Sequence, residues 1–265
     1  MAGDHLQGTI PSSLYNLSSL VVLDLGGNQR LSGTLPSDMG VYLPNLQVLS
    51  LGCNQLHGSI PSSLPNASAL RAIQLPINYF SGVIPSGLGT LDRLTRLSWD
   101  YLITTLIEGV LPSTISNFSK SIVSIDIGKN RISGSIPEGI GGLTGLTLLA
   151  LGDSLLEGMV PLAIGKLHNL VVLYMAGNQL SGQIPSSMSN LTRLNQCILE
   201  SNRLQGVIPP SLVNLQKLQV LSLSNNKLKV LPTEVGKMTD LSRMDVSDNN
   251  LSGEIPATLG NYVST

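Results

Sequence analysis

The sequence predicts an α/β solenoid: a single domain over residues 1–265, built from about ten repeats of 24 residues behind a partial N-terminal repeat. Three observations carry that expectation. The phrase Leu-x-x-Leu-x-Leu-x-x-Asn recurs from Leu20 to Asn28, from Leu46 to Asn54, and from Leu170 to Asn178 with Met175 in the third apolar slot. A version of Leu-x-Gly-x-Ile-Pro follows each copy. Aromatic residues make up only 3% of the chain, which suits a core of stacked leucine and isoleucine rows. A fixed period of this length marks coils that bury their apolar faces only against their neighbours.

The units begin at Leu20, Leu46, Leu70, Leu94, Ile122, Leu146, Leu170, Leu194, Leu218 and Leu241, after a partial unit from Leu6 to Ser19. Six of the nine intervals are 24 residues. The interval from Leu20 is 26, because Arg30 extends the turn after Asn28 and Tyr42 lengthens the approach to Leu43. The interval from Leu94 is 28, which makes 94–121 an irregular repeat. The interval from Leu218 is 23, and there Lys229-Val230-Leu231-Pro232 lacks the usual glycine.

Each part of the unit has a physical reading. Leu23 and Leu25, like Leu49 and Leu51, are two apart, so each pair faces the core from one side of a short strand. The asparagine that follows can satisfy backbone groups between coils. It predicts a ladder of Asn28, Asn54, Asn78, Asn130, Asn178, Asn202, Asn226 and Asn249. The glycine after it permits an unusual backbone turn, and the proline fixes φ and ends a second extended segment. Stretches such as Ser62-Ser63-Leu64 and Glu138-Gly139-Ile140-Gly141 are too short and glycine-rich for a long helix, so the convex side should hold one or two turns of 3-10 or irregular structure. About ten coils at a strand spacing of roughly 4.8 Å would make a body about 50 Å long.

Composition narrows function. Fifteen basic and 16 acidic residues give a formal charge of -1, which offers no electrostatic footprint for nucleic acid or anionic lipid. Apolar runs such as Leu146 to Leu151 are far below a membrane-spanning length, so no direct membrane insertion is expected. Met-Ala-Gly-Asp-His leads straight into repeat material without a charged, apolar leader. Against a literal intracellular reading stand five Asn-x-Ser/Thr sequons, at Asn16, Asn66, Asn117, Asn190 and Asn250. Four share one phase of the repeat, and repetition of one phrase accounts for them as readily as four separate glycan sites would. Asn250 lies beside the ladder turn and is the poorest acceptor. Cys53 is expected on the exposed strand face and Cys197 in a core leucine slot, six coils apart and beyond disulfide reach.

The unit Leu-x-x-Leu-x-Leu-x-x-Asn-x-Leu-x-Gly-x-Ile-Pro resembles the plant-type leucine-rich repeat, a right-handed superhelix with short parallel strands on its concave face. The wording from Leu31 to Gly40, continued from Leu43 to Gln47, and that from Gly128 to Pro137 are similar to the ectodomains of plant receptor-like serine/threonine kinases, in particular a grass group of disease-resistance and pattern-recognition receptors. The resemblance implies a glycoprotein on the extracellular side of the plasma membrane, within a longer receptor that acts in defence or developmental signalling. The implied partners are a peptide, protein or small signalling ligand and a coreceptor kinase. The chain departs from the full pattern in having no leader, no paired-cysteine cap, no membrane helix and no kinase motif. The alternative is therefore a non-signalling structural or inhibitor-type repeat protein, or an inactive truncated receptor product. In the irregular repeat Trp99 takes a leucine slot, no ladder asparagine follows, and Ile103 to Ile107 replaces the usual turn. A deletion, a tolerated bulge and a binding loop remain open there.

Residues flanking the core leucines point outward and form the expected contact face. One candidate patch is Leu148, Val172 and Ile198 around Tyr174, read as exposed aliphatics about an aromatic anchor. Aliphatics at such positions equally reflect strand propensity. A second candidate is Arg71, Gln74, Arg96, Asp100 and Tyr101, where Arg96 could grip a carboxylate or pair with an aspartate on its own face. No catalytic, cofactor or metal site is expected. His5, His57 and His168 fall in different phases and coils, and Gly26-Gly27-Asn28 lacks the setting of a phosphate loop.

Overall fold

The computed structural model describes residues 3–99, 106–118 and 120–258. The chain divides into two compact units, Met1–Ser133 and Gly134–Thr265. Each is a stretch of right-handed solenoid in which a complete coil contributes one strand to each of two parallel sheets and a short helical turn to the opposite side.

In the first unit one sheet is formed by Val22–Asp24, Val48–Ser50, Ala72–Gln74, Arg96–Ser98 and Ser124–Asp126, paired in that order. In the second unit the corresponding strands are Leu148–Ala150, Val172–Tyr174, Gln196–Ile198, Val220–Ser222 and Arg243–Asp245. These strands have three residues because only the central side chain must reach the core, and the backbone then turns away. Leu23, Leu49, Ile73, Leu97 and Ile125 fill that central slot in the first unit, and Leu149, Leu173, Cys197 and Leu221 fill it in the second. Full burial of such a side chain stabilises by about 1.5–3 kcal/mol relative to exposure. No coil holds both walls of its own core, so that gain exists only in the stack.

The other sheet comes from the Leu-x-Gly segment, as in Gln55–Ser59, Tyr79–Val83 and Leu106–Val110, or Leu155–Met159, Gln179–Gly182 and Arg203–Val207. Its glycines adopt positive φ, +79° at Gly58 and +77° at Gly182. They also leave room for the previous coil. A Cβ at Gly182 would lie 2.9 Å from Met159 Cγ, and one at Gly58 would lie 2.9 Å from Thr34 Cγ2. Proline then precedes most of the 3-10 turns, as Pro161 does Leu162–Lys166 and Pro185 does Ser186–Asn190.

The irregular intervals have visible consequences. The 26-residue coil holds one α-helical turn, Met39–Tyr42, where Tyr42 N–H donates to Asp38 O at 3.1 Å and Leu43 N–H to Met39 O at 3.0 Å. The 23-residue coil bulges, because Gly206 aligns with Leu228 but Val207 aligns with Val230. In the 28-residue coil Trp99 is 1% exposed in the core; its backbone N–H donates to Asp126 O at 2.7 Å, and its indole Nε1 has no hydrogen-bond partner among the described residues. Residues 100–105, including the unusual Ile103 to Thr105 stretch, lie outside the described residues.

One expectation is corrected. Cys53 is not on a strand face, because the strand ends at Ser50. It is half-buried in the following bend with φ +58°, the left-handed residue that aims Asn54 inward. Both cysteines are free thiols, and burial pushes Cys197 up to about 12.

Candidate ligand-binding surface

The site is built on the ladder. Asn178 Nδ2 donates to Leu151 O (2.9 Å), Met175 O (3.2 Å) and Ala176 O (3.1 Å), while its Oδ1 accepts Leu156 N–H at 3.0 Å. Asn202, Asn226 and Asn249 repeat the pattern in their own coils. Asn78 does so in the first unit, and Asn28, Asn54 and Asn130 each donate to nearby carbonyls. The ladder holds each three-residue strand at a fixed height, so outward side chains line up across coils. Two of its features escaped the sequence reading. Ser154 occupies the ladder slot of its coil, buried, and its Oγ donates to Gly152 O at 3.4 Å. Asn54 Oδ1 has no hydrogen-bond partner among the described residues. At Asn78, Asn178, Asn202 and Asn226 an N–H 22 residues earlier supplies that bond, as Leu56 does for Asn78, whereas the coil before Asn54 is lengthened by Arg30.

In the second unit Leu148, Val172 and Gln196 are in register, as are Ala150, Tyr174 and Ile198. Leu148, Val172, Tyr174 and Ile198 therefore share one patch across three adjacent strands. All four are half-buried, not the exposed aliphatics expected, because three-residue strands at ladder spacing shield one another. Tyr174 is not a projecting anchor. Its ring lies over Gly152, where a Cβ would overlap Cε1, and its hydroxyl donates to Asp153 Oδ2 at 3.1 Å. Glu200 accepts a hydrogen bond from Ser222 Oγ beside Ile198. At the last strand Asp245 Oδ1 accepts bonds from the Ser247 hydroxyl (2.7 Å) and N–H (3.1 Å). Those bonds, with Arg243 nearby, hold the Asp245 carboxyl below its ordinary range. The patch is apolar at its centre and carries Asp153, Glu200 and Asp245 around it.

In the first unit Arg96 is in register with Ala72 and Ser124, and Gln74 with Ser98. Arg71 precedes its strand and gives its carbonyl to Thr95 Oγ1 at 2.9 Å. Arg71 and Arg96 are exposed, and neither guanidinium forms an ion pair among the described residues. Asp100 and Tyr101, the rest of this candidate, lie outside the described residues.

The sequon asparagines are all exposed. Asn16, Asn66, Asn117 and Asn190 each close a 3-10 turn, Ser12–Asn16, Leu64–Asn66, Ser113–Asn117 and Ser186–Asn190. No group of three or more metal-binding side chains forms among the described residues, and no helix there is long and apolar enough to cross a membrane. A groove of about 790 Å³ does open on the second unit, between Met159, Leu162, Gln183, Val207 and Pro210. No sequence motif marked it, since its residues come from four successive coils rather than from within one.

Models of the leucine rich repeat match residues 45–67, 121–143, 169–191 and 189–251. The chain is built of leucine-rich repeats. This repeat chain is 37% identical over 84 residues to receptor-like protein 39 of Arabidopsis thaliana, which covers 31% of the chain and 9% of that relative. Among solved structures it is similar to a TDR receptor, with a TM-score of 0.90 and 29% identity over 99% of this chain and 44% of that one. It is also similar to the plant peptide hormone receptor RGFR1 in complex with RGF2, with a TM-score of 0.72 and 32% identity over 97% of this chain and 48% of that one. The leucine-rich-repeat chain is thus homologous to plant receptor ectodomains, and it spans 9% of that curated relative and less than half of these two receptor chains.

Proposed function

We propose that this leucine-rich-repeat chain is the ligand-recognition part of a plant receptor-like protein or kinase, with no catalysis of its own, and that its strand face takes an extended peptide. The carrying observation is the patch of Leu148, Val172, Tyr174 and Ile198, four half-buried side chains on three strands held in register by the ladder. Apolar side chains of a ligand can lie across Leu148, Val172 and Ile198. A basic group fits the carboxylates of Glu200 and Asp153, which accept hydrogen bonds from the neutral hydroxyls of Ser222 and Tyr174. The likeness to a peptide hormone receptor supports peptide over other ligands. In the first unit Arg71 and Arg96, with Gln74, form a separate subsite suited to a carboxylate. The finer reading extends to a grass defence receptor on the extracellular side of the plasma membrane, with glycans at the exposed sequons and a coreceptor kinase as second partner.

The test is to pan a random-peptide library on the immobilised chain and titrate the recovered peptides calorimetrically against wild type and Ile198→Asp. Recovered peptides should carry an apolar residue near a lysine or arginine, and Ile198→Asp should weaken them at least about tenfold. Peptides that bind the two forms equally would move the site elsewhere.

A further inference from the structure

We propose that residues 134–265 carry a self-complementary surface on the outer face of their second sheet, through which two copies of the chain associate. The strands Leu155–Met159, Gln179–Gly182, Arg203–Val207 and Lys227–Val230 lie side by side in that order. Leu156, Leu180, Leu204 and Leu228 point into the core, so their alternates face solvent. At the first strand those are Leu155, Glu157 and Met159, with Leu155 46% and Met159 69% exposed. At the last two they include Arg203, Lys227 and Lys229, with no acidic residue among them. The Leu155–Met159 strand therefore carries one carboxylate, Glu157, beside apolar side chains, and the last two strands carry only cations, three strand spacings or about 14 Å away. Neither Glu157 nor Lys227 nor Lys229 has an ion-pair partner among the described residues.

A surface with opposite charges at its two ends is complementary to itself. A twofold axis lying across the line between the ends sets Glu157 of each copy against the lysines of the other, so every attractive pair occurs twice. An axis along that line would set Glu157 on Glu157 and lysine on lysine, and charge alone rejects it. The groove between Met159, Leu162 and Val207 adjoins this face and supplies apolar area to cover. The strand face itself offers only about 240 Å², from a span of about 14 Å and a strand length of about 17 Å, against the roughly 800 Å² per partner of stable complexes. The association is accordingly weak and salt-sensitive. It also has a covalent veto. Asn250 donates its N–H to Leu228 O at 2.9 Å, beside the basic strand, and opens the sequon Asn250-Leu251-Ser252. A glycan on Asn250 would stand at the edge of the face and keep the copies apart.

Sedimentation equilibrium of the chain made without glycans tests this. The wild type should show a monomer–dimer equilibrium that weakens with added salt. Glu157→Lys and Lys229→Glu should each weaken it about tenfold, because each reverses two symmetric pairs. The double variant Glu157→Lys/Lys229→Glu should recover it. Far-UV circular dichroism should be unchanged in all three, since the side chains are exposed. A wild type that stays monomeric up to about 1 mM, single reversals without effect, or a double variant that fails to recover would each overturn the proposal.

Discussion

At the residue scale the ladder asparagines bear the heaviest structural duty. Asn202 Nδ2 donates to Met175 O, Leu199 O and Glu200 O, and its Oδ1 accepts Leu180 N–H. Asn202→Ala strands several of these backbone groups where water has little access, so we expect a loss of roughly 2–3 kcal/mol, read as a lower urea midpoint. Ile77 shows the opposite case. It is a β-branched residue held at φ +56°, in the slot before Asn78 where Asp153, Asn225 and Asp248 stand in other coils. Ile77→Asn should stabilise by about 0.5–1 kcal/mol, because asparagine tolerates the left-handed region; a lower midpoint would mean that the lost packing of Ile77 dominates. The two thiols should separate cleanly under a native-state alkylating reagent. Cys53 is half-buried in a bend and should label, whereas Cys197, fully enclosed with its thiol pushed up to about 12, should label only on unfolding.

At the element scale the glycines divide into two physical classes, and one substitution in each distinguishes them. Gly158 has φ +77°, and a Cβ there would touch Ser135 Cβ at an ordinary 3.4 Å. Gly158→Ala therefore suffers backbone strain alone, about 1 kcal/mol. Gly141 sits in the 3-10 turn Glu138–Gly142, and a Cβ there would lie 2.6 Å from Ala163 O, the backbone of the next coil. Gly141→Ala must push two coils apart and should cost more, about 2–3 kcal/mol; equal midpoints for the two variants would refute the distinction. The sequence made the first class legible, because Leu-x-Gly-x-Ile-Pro announces a turn glycine, but not the second, whose reason is a contact between coils. The same division runs through the site. Period and spacing located the strands, the ladder and the column containing Tyr174. They could not show the ring of Tyr174 laid over Gly152 and tied to Asp153, since that depends on a missing Cβ one coil away. Cys53 was misplaced for a related reason: the phrase Leu-x-Leu-x-x-Asn marks where a strand begins better than where it ends. Nor could a pattern within one coil reveal the groove at Met159 and Val207, which exists only between coils.

At the scale of the whole molecule the open matter is which surfaces are left for partners once the chain is modified in its own compartment. The exposed asparagines at 16, 66, 117 and 190 recur at the last position of a 3-10 turn, where a glycan extends away from the core and displaces nothing. Asn250 differs in its place: it directly follows the ladder residue Asn249 rather than closing a 3-10 turn, and its backbone N–H joins the second sheet by donating to Leu228 O. If the chain is displayed outside the cell, secretion from a plant host should load the four turn-end sites and leave Asn250 largely bare. Enzymatic deglycosylation in heavy-oxygen water followed by peptide mass mapping would read occupancy site by site. Four unmodified turn-end asparagines would count against an extracellular role. The strand face, by contrast, holds none of the four, so a peptide should bind the glycosylated and the bacterially made chain with the same affinity. The self-association face next to Asn250 has no such immunity. A chain loaded at all five sites should bind peptide and remain monomeric, whereas one loaded at four, with Asn250 bare, should bind peptide and self-associate, which makes occupancy of one asparagine the observable that separates the two surfaces.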